Sequence, residues 1–250
     1  MLLCSLTFYV YLLLVQRASS QNATGNFISS ELQALRDLYD QTNGTQWQWK
    51  DASEGARWNF SSTVNPCIEN WQGITCELPP PYDTYYVLDL ALAEYNLIGP
   101  LPNSIDQLTH LSQLSLGGNG LHGTIPPSLG NLSALSYLNM SLNSFTSTVP
   151  AELSGATQLD TILLYRNKLT GTLPDSLSRL RLLRNLLIQY NALTGSLYNV
   201  FDNNTQTTLH YVALNNNQLT GTLPESLLSN ANLQNLYMDN NCFHGTLPTS

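Results

Sequence analysis

The sequence predicts an α/β repeat solenoid with a parallel β-sheet on its concave face. Three observations point there: a 24-residue period, a short apolar alternation at a fixed place in each period, and an asparagine at a fixed distance beyond it. Leu111, Leu135, Leu159 and Leu183 open similar segments 24 residues apart, with Val87 one period earlier. Leu209 follows after 26 residues and Leu233 after another 24, so one unit carries a two-residue insertion, expected in a loop near Asp202 to Thr208.

Within the unit from Leu111 to Pro126, each residue type has a physical task. Leu114 and Leu116 alternate with polar neighbours, the pattern of a strand with one face inward, and stacking such strands in parallel makes a sheet. Beyond the strand the chain turns inside the core. An asparagine there bonds buried backbone through both its amide donor and its carbonyl acceptor. Asn119, Asn143, Asn167, Asn191, Asn217 and Asn241 occupy this place and predict an internal ladder. Gly123 suits a tight bend, and Pro126 fixes the chain for its return across the convex side.

Upstream, Ser30 followed by Glu31, Leu32, Leu35 and Leu38 predicts a helix with Ser30 as its N-cap, ended by Asn43-Gly44. The run Leu2 to Val15 is nearly all apolar, and Ala18 and Ser20 follow at signal-peptidase spacing, so residues 1–20 read as a signal peptide. Arg17 after the run and the absence of a basic start leave an uncleaved signal anchor open. A secretory route fits the sequons at Asn22, Asn43, Asn59, Asn131, Asn139 and Asn203. Without Cys4 the mature chain keeps Cys67, Cys76 and Cys242, an odd number for an oxidising compartment.

Composition narrows the function. Of 250 residues 42% are hydrophobic, enough for a core. Charged residues are 10% and the net charge is −8, which argues against nucleic acid as a partner. Arg166, Lys168, Arg179, Arg181 and Arg184 cluster late, so any surface attracting anions belongs there, although solvated surface charge explains them too. No chemistry converges: His110, His122, His210 and His244 are scattered, with no spacing suited to a metal. Gly117-Gly118-Asn119-Gly120 lies inside a repeat and lacks the Lys-Ser/Thr ending of a phosphate loop. Neither an enzyme, a metal nor a cofactor is expected.

The unit, written L-x-x-L-x-L-x-x-N-x-L-x-G-x-I/L-P, resembles the plant-type leucine-rich-repeat family over roughly residues 87–250. "NKLTGTLP" at 167–174 and "NQLTGTLP" at 217–224 carry its signature in register. The resemblance implies a horseshoe or right-handed superhelix of about seven units, the last incomplete. Short 3-10 or irregular convex segments and a helical N-terminal capping domain over residues 21–84 complete it. Departures are Tyr95 for the first ladder asparagine, Ser147 for a bend glycine and Tyr198 for a proline. "PCIENWQGITC" from Pro66 to Cys76 is similar to the family's N-terminal cap. It implies a Cys67–Cys76 disulfide, the alternative being a reduced pair buried as small hydrophobes. "LYDQTNGTQWQW" from Leu38 to Trp49 also resembles such caps, with tryptophans that pack rather than bind. Cys242 has two readings, a thiol whose partner lies in a C-terminal cap beyond Ser250 or an idle buried thiol.

Outward concave positions gather Tyr137, Asn139, Tyr165, Arg166, Arg184, Tyr190, His210, Tyr211, Tyr237 and Asp239, the candidate ligand-binding residues. The competing reading is that strands favour tyrosine and these rings pack on one another. Seven strands at about 4.8 Å give roughly 30 Å of surface, the length of about nine extended residues, which suits a peptide or protein loop. Arg166 and Arg184 sit in neighbouring units and are expected to clamp an anion together. The resemblance implies the extracellular ligand-recognition part of a receptor-like protein or receptor kinase, membrane-bound only through a segment outside this chain. The alternatives are a secreted inhibitor of a microbial wall-degrading enzyme, as in the polygalacturonase inhibitors, or a structural matrix protein.

Overall fold

A computed structural model describes residues 26–60, 64–79, 83–202 and 204–245. The expected signal peptide and the sequons at Asn22 and Asn203 lie outside them. Each period supplies one short strand to a nine-stranded sheet. Strands Thr84–Ala91, Gln113–Ser115, Tyr137–Asn139, Thr161–Leu163, Asn185–Leu187, Tyr211–Ala213 and Asn235–Tyr237 follow one another in parallel. The register never slips: Leu90, Leu114, Leu138, Ile162, Leu186, Val212 and Leu236 lie directly opposite their neighbours, one per unit. The first six are essentially fully buried. A one-residue slip would turn this whole row to solvent, so the apolar alternation fixes the pairing.

The asparagine ladder forms as expected. The amide of Asn167 donates to Leu164 O of its own unit at 3.1 Å and to Met140 O of the preceding unit at 3.0 Å, and its Oδ1 accepts from Phe145 N at 3.0 Å. Asn143, Asn191, Asn217 and Asn241 repeat the scheme. Asn217 reaches back 29 residues to Ile188 O where the others reach 27, so the two inserted residues leave the ladder undisturbed.

Beyond the ladder, the stretch read as a bend also makes strands. Ile98–Pro100, Gly120–Thr124 and Ser144–Thr146 form one parallel strip, and Thr170–Thr172, Ala192–Gly195, Gln218–Gly221 and Cys242–Phe243 a second. The strips part at Ser147, the residue that stands in for a bend glycine and holds φ at 70°. Cys242 is a free, exposed thiol, not a buried one. On the far side, Pro102, Pro126, Pro150 and Pro174 each directly precede a 3-10 helix, and Pro224 a short α-helix. Where Tyr198 replaces the proline the chain only turns, and Tyr198 is 77% exposed. Parallel strands spaced about 4.8 Å apart are the tighter side of the stack, which makes the nine-stranded sheet its concave face.

The N-terminal cap is built on α1 (Ser29–Gln41), whose Ala34, Leu35 and Leu38 are buried. Its N-cap position is Ile28, which makes no capping side-chain bond. Ser30 lies inside the first turn and does not cap the helix as the sequence suggested, because the chain already enters helix one residue earlier. Trp47, Trp58 and Trp71 pack face and edge, with ring centroids 4.9 and 5.5 Å apart, so these tryptophans do form core. Gln72, almost fully buried, gathers the cap loop by donating to Lys50 O, Asp51 O and Gly55 O. Cys67 and Cys76 form a disulfide, with Cα atoms 5.7 Å apart. Tyr95 covers the first rung of the ladder: its N–H donates to Asn119 Oδ1, its carbonyl accepts from Gln48 N, and its ring meets Trp49 edge-on.

Candidate functional site

Because strand residues alternate, the neighbours of each buried leucine point away from the core. Tyr137 and Asn139 flank Leu138, Tyr211 flanks Val212, and Tyr237 follows Leu236. Tyr165 and Arg166 lie just beyond the strand Thr161–Leu163, and Tyr190 occupies the same place in the next unit as Arg166. None of the ten candidate residues is buried; Arg166, Arg184, Tyr190, Tyr237 and Asp239 are exposed and the other five half-buried.

The structure divides these residues into groups. Tyr211 and Tyr237 pair, with ring centroids 5.5 Å apart; burial, and then the hydrogen bond and charge interaction with Tyr237, push the Tyr211 hydroxyl above the ordinary tyrosine range. His210 is pinned by its Nδ1 to Thr208 O at 2.7 Å. A carbonyl only accepts, so Nδ1 carries the proton, and in the neutral ring Nε2 is left as the acceptor. Asn139 Oδ1 accepts from Ser141 N and Ser141 Oγ.

Arg166 and Arg184 do not meet as expected. Arg184 aligns with Asp160, to whose carbonyl its N–H donates, six positions before Arg166 along the strand direction. At about 3.3 Å per residue that is roughly 20 Å, too far for one carboxylate. Arg166 instead lies over the ring of Tyr190, 5.0 Å from its centroid. No side-chain hydrogen bond or ion pair to Arg166 occurs among the described residues.

Two features escaped the sequence reading. Glu94, Gly118, Leu142, Arg166, Tyr190, Asn216 and Asn240, all in the eighth position of their units, hold positive φ between 54° and 69°. The N–H groups of the first six donate to a carbonyl of the next unit, as from Arg166 to Gln189 O at 3.0 Å. The signal was present, since no β-branched residue occupies this position in any unit, and such residues tolerate positive φ worst. The second feature is Gln189. Among the described residues, two buried side-chain polar atoms lack a hydrogen-bond partner, Glu31 Oε1 and Gln189 Oε1. Glu31 belongs to the cap: Oε2 accepts from Val87 N at 2.8 Å, and Oε1 lies 3.9 Å from His110 Nδ1. Burial pushes its carboxyl up to about 7 against the lowering effect of the Val87 bond.

Another concavity lies elsewhere, a groove of about 690 Å³ on the convex side between Asp175, Tyr198 and Glu225. It exists because the unit with Tyr198 supplies no helix there. Two of its three acids are engaged: Asp175 accepts from Asn199, and Asp202 from Asn204 N and Thr205 Oγ1, bonds that hold Asp202 below the usual carboxylate range. The sequons place Asn43, Asn59 and Asn131 on exposed ground, with the Asn131 amide donating to Asp106 at 2.9 Å.

Comparison with known proteins agrees with this architecture. The family model described as Leucine Rich Repeat matches residues 110–132, 158–180 and 208–230. No curated protein sequence matches significantly. Among solved structures, a crystal structure of PEPR1-AtPEP1 is similar with 32% identity and a TM-score of 0.73, covering 88% of this chain and 29% of that one. The BIR2 ectodomain from Arabidopsis thaliana is 26% identical over 68% of this chain and 84% of its own, with a TM-score of 0.57. Pollen Receptor Kinase 3 shares the fold at 24% identity, covering 87% and 98%, with a TM-score of 0.70. The chain thus spans less than a third of the length of PEPR1. With the ladder, the unbroken register and the family match in agreement, the chain is a leucine-rich-repeat solenoid whose repeats match the plant type.

Proposed function

We propose that this chain is the extracellular ligand-recognition domain of a receptor-like protein or receptor kinase, binding a peptide or a protein loop on its concave sheet. The observation that carries this reading is the run of solvent-facing Tyr, Arg and His residues across adjacent strands between residues 165 and 239, in a chain poor in charge. Tyrosine and arginine contribute most to binding energy at interfaces. The likeness to the crystal structure of PEPR1-AtPEP1 and to the BIR2 ectodomain supports the same reading. The sheet face is long enough for about nine extended residues.

The test is selection of a random nine-residue peptide library on the whole secreted chain, with binders measured against two variants. Tyr211→Ser with Tyr237→Ser removes the paired rings, and Tyr198→Ser changes the exposed convex tyrosine. Loss of binding by at least tenfold in the first and none in the second supports the reading. Absence of binders, or binders indifferent to the sheet variant, rejects it.

A further inference from the structure

Arg166, Gln189 and Tyr190 form one contiguous cluster, and each is unfinished in a different way. The backbone ties them together, since Arg166 N donates to Gln189 O at 3.0 Å. The Arg166 guanidinium lies over the Tyr190 ring, 5.0 Å from its centroid, and none of its five donors has a hydrogen-bond partner among the described residues. Gln189 Oε1 is shielded from water and has no donor. An amide oxygen left so is unfavourable, and a ligand that brings an N–H removes that penalty. Tyr190 is 46% exposed and offers an apolar edge beside both.

We propose that this cluster is an anchoring subsite for an acidic residue of an extended peptide, a proposal that rests on the concave face being a peptide-binding surface. The peptide carboxylate pairs with the Arg166 guanidinium, and the half-buried Gln189 side chain turns its amide outward so that Oε1 accepts a backbone N–H of the same strand. The chemistry is selective at both points: a lysine in the peptide repels Arg166, and a proline at the donating residue has no N–H to give. The positive φ of Arg166 and Tyr190 supports the geometry, because the same turn in both units holds the two side chains side by side. At the place of Gln189 in the two following units stand Asn215 and then Asp239, so the first carboxylate there lies two units on.

The same nine-residue library, selected on the whole chain, supplies the test. Peptides enriched in Asp or Glu at one fixed position are expected. For one such peptide and its Asp→Asn (or Glu→Gln) partner, affinities are measured for the natural protein, Arg166→Gln, Arg166→Lys and Gln189→Met, with thermal unfolding as the check that each variant folds. The expected result is a tenfold or greater loss with Arg166→Gln for the acidic peptide only, partial recovery with Arg166→Lys, and a loss with Gln189→Met that is equal for both peptides. Binders lost on Tyr211→Ser with Tyr237→Ser but without an acidic preference, or with equal losses for both peptides in Arg166→Gln, overturn the subsite and leave peptide binding standing. Absence of binders overturns both.

Discussion

Replacing Asn217 with alanine tests the ladder where it is most enclosed. The side chain is 8% exposed and makes three hydrogen bonds: Oδ1 accepts from Leu193 N at 3.0 Å, and Nδ2 donates to Ile188 O at 3.1 Å and Leu214 O at 3.0 Å. Alanine leaves one buried N–H unpaired and takes a donor from two carbonyls. At about 1 kcal/mol for each lost bond the cost is about 3 kcal/mol, and incomplete access of water to the orphaned groups keeps it from falling much lower. Asn241→Ala removes an equivalent set, to Leu219 N, Leu214 O and Met238 O, from a half-buried position in the last described unit. Water reaches that site, so about 1 kcal/mol is expected there. Equilibrium urea unfolding followed by circular dichroism measures both. Equal small losses, below about 1 kcal/mol in each variant, would refute the claim that these side chains replace solvent inside the turn.

Four further outcomes follow from the same geometry. Ser147→Gly and Leu142→Gly relieve side chains held at φ 70° and 55°, and each is expected to raise the unfolding free energy by about 0.5–1 kcal/mol net of the added unfolded-state freedom. Gly171→Ala is the converse: at φ 70° a Cβ would sit 2.6 Å from Thr148 Cγ2, and unfolding at lower urea is expected. Reducing Cys67–Cys76, which closes a loop of nine-residue separation, is expected to cost about 2.5–3 kcal/mol on the chain-entropy estimate, read as the shift in unfolding with and without reductant. Glu31 sets a pH dependence. Its folded-state value of about 7 exceeds the ordinary 4.5, so the folded state holds the proton more tightly, and the contribution is full below about 4.5 and lost as pH rises through 7. Glu31→Gln should flatten stability across that window, and an unchanged slope between pH 5 and 8 would reject the assignment.

The solenoid was legible because its signals are periodic and mutually consistent: Leu114, Leu138 and Leu186 fix the register, and Asn143 and Asn167 fix the turn. The second strips were not, since a G-x-I/L-P stretch announces a bend, and only stacking on the neighbouring unit, as Thr170 on Ala192, turns that bend into a strand pair. Ser30 misled for a local reason, because the chain already enters the helix at Ser29 and Ser30 falls inside the first turn. On the candidate face the outward positions were readable from alternation. The pairing of Arg166 was not, because the strand's length in ångströms, and not its unit number, decides which residues meet. Gln189 gave no sequence signal at all, since an unpaired buried atom is a property of its surroundings.

The two extra residues between Leu183 and Leu209 change the outer circumference of the molecule without changing its inner one. Asn217 lengthens its reach by two in sequence and not in space, and Asn185 still faces Tyr211 across the sheet. The two surfaces therefore vary independently. A peptide tag or a loop of foreign sequence inserted beside Tyr198 would alter what the back of the molecule presents, while the residues that meet a ligand in front keep their spacing. The fold in effect has one surface free to lengthen and another held at a constant pitch by hydrogen bonds.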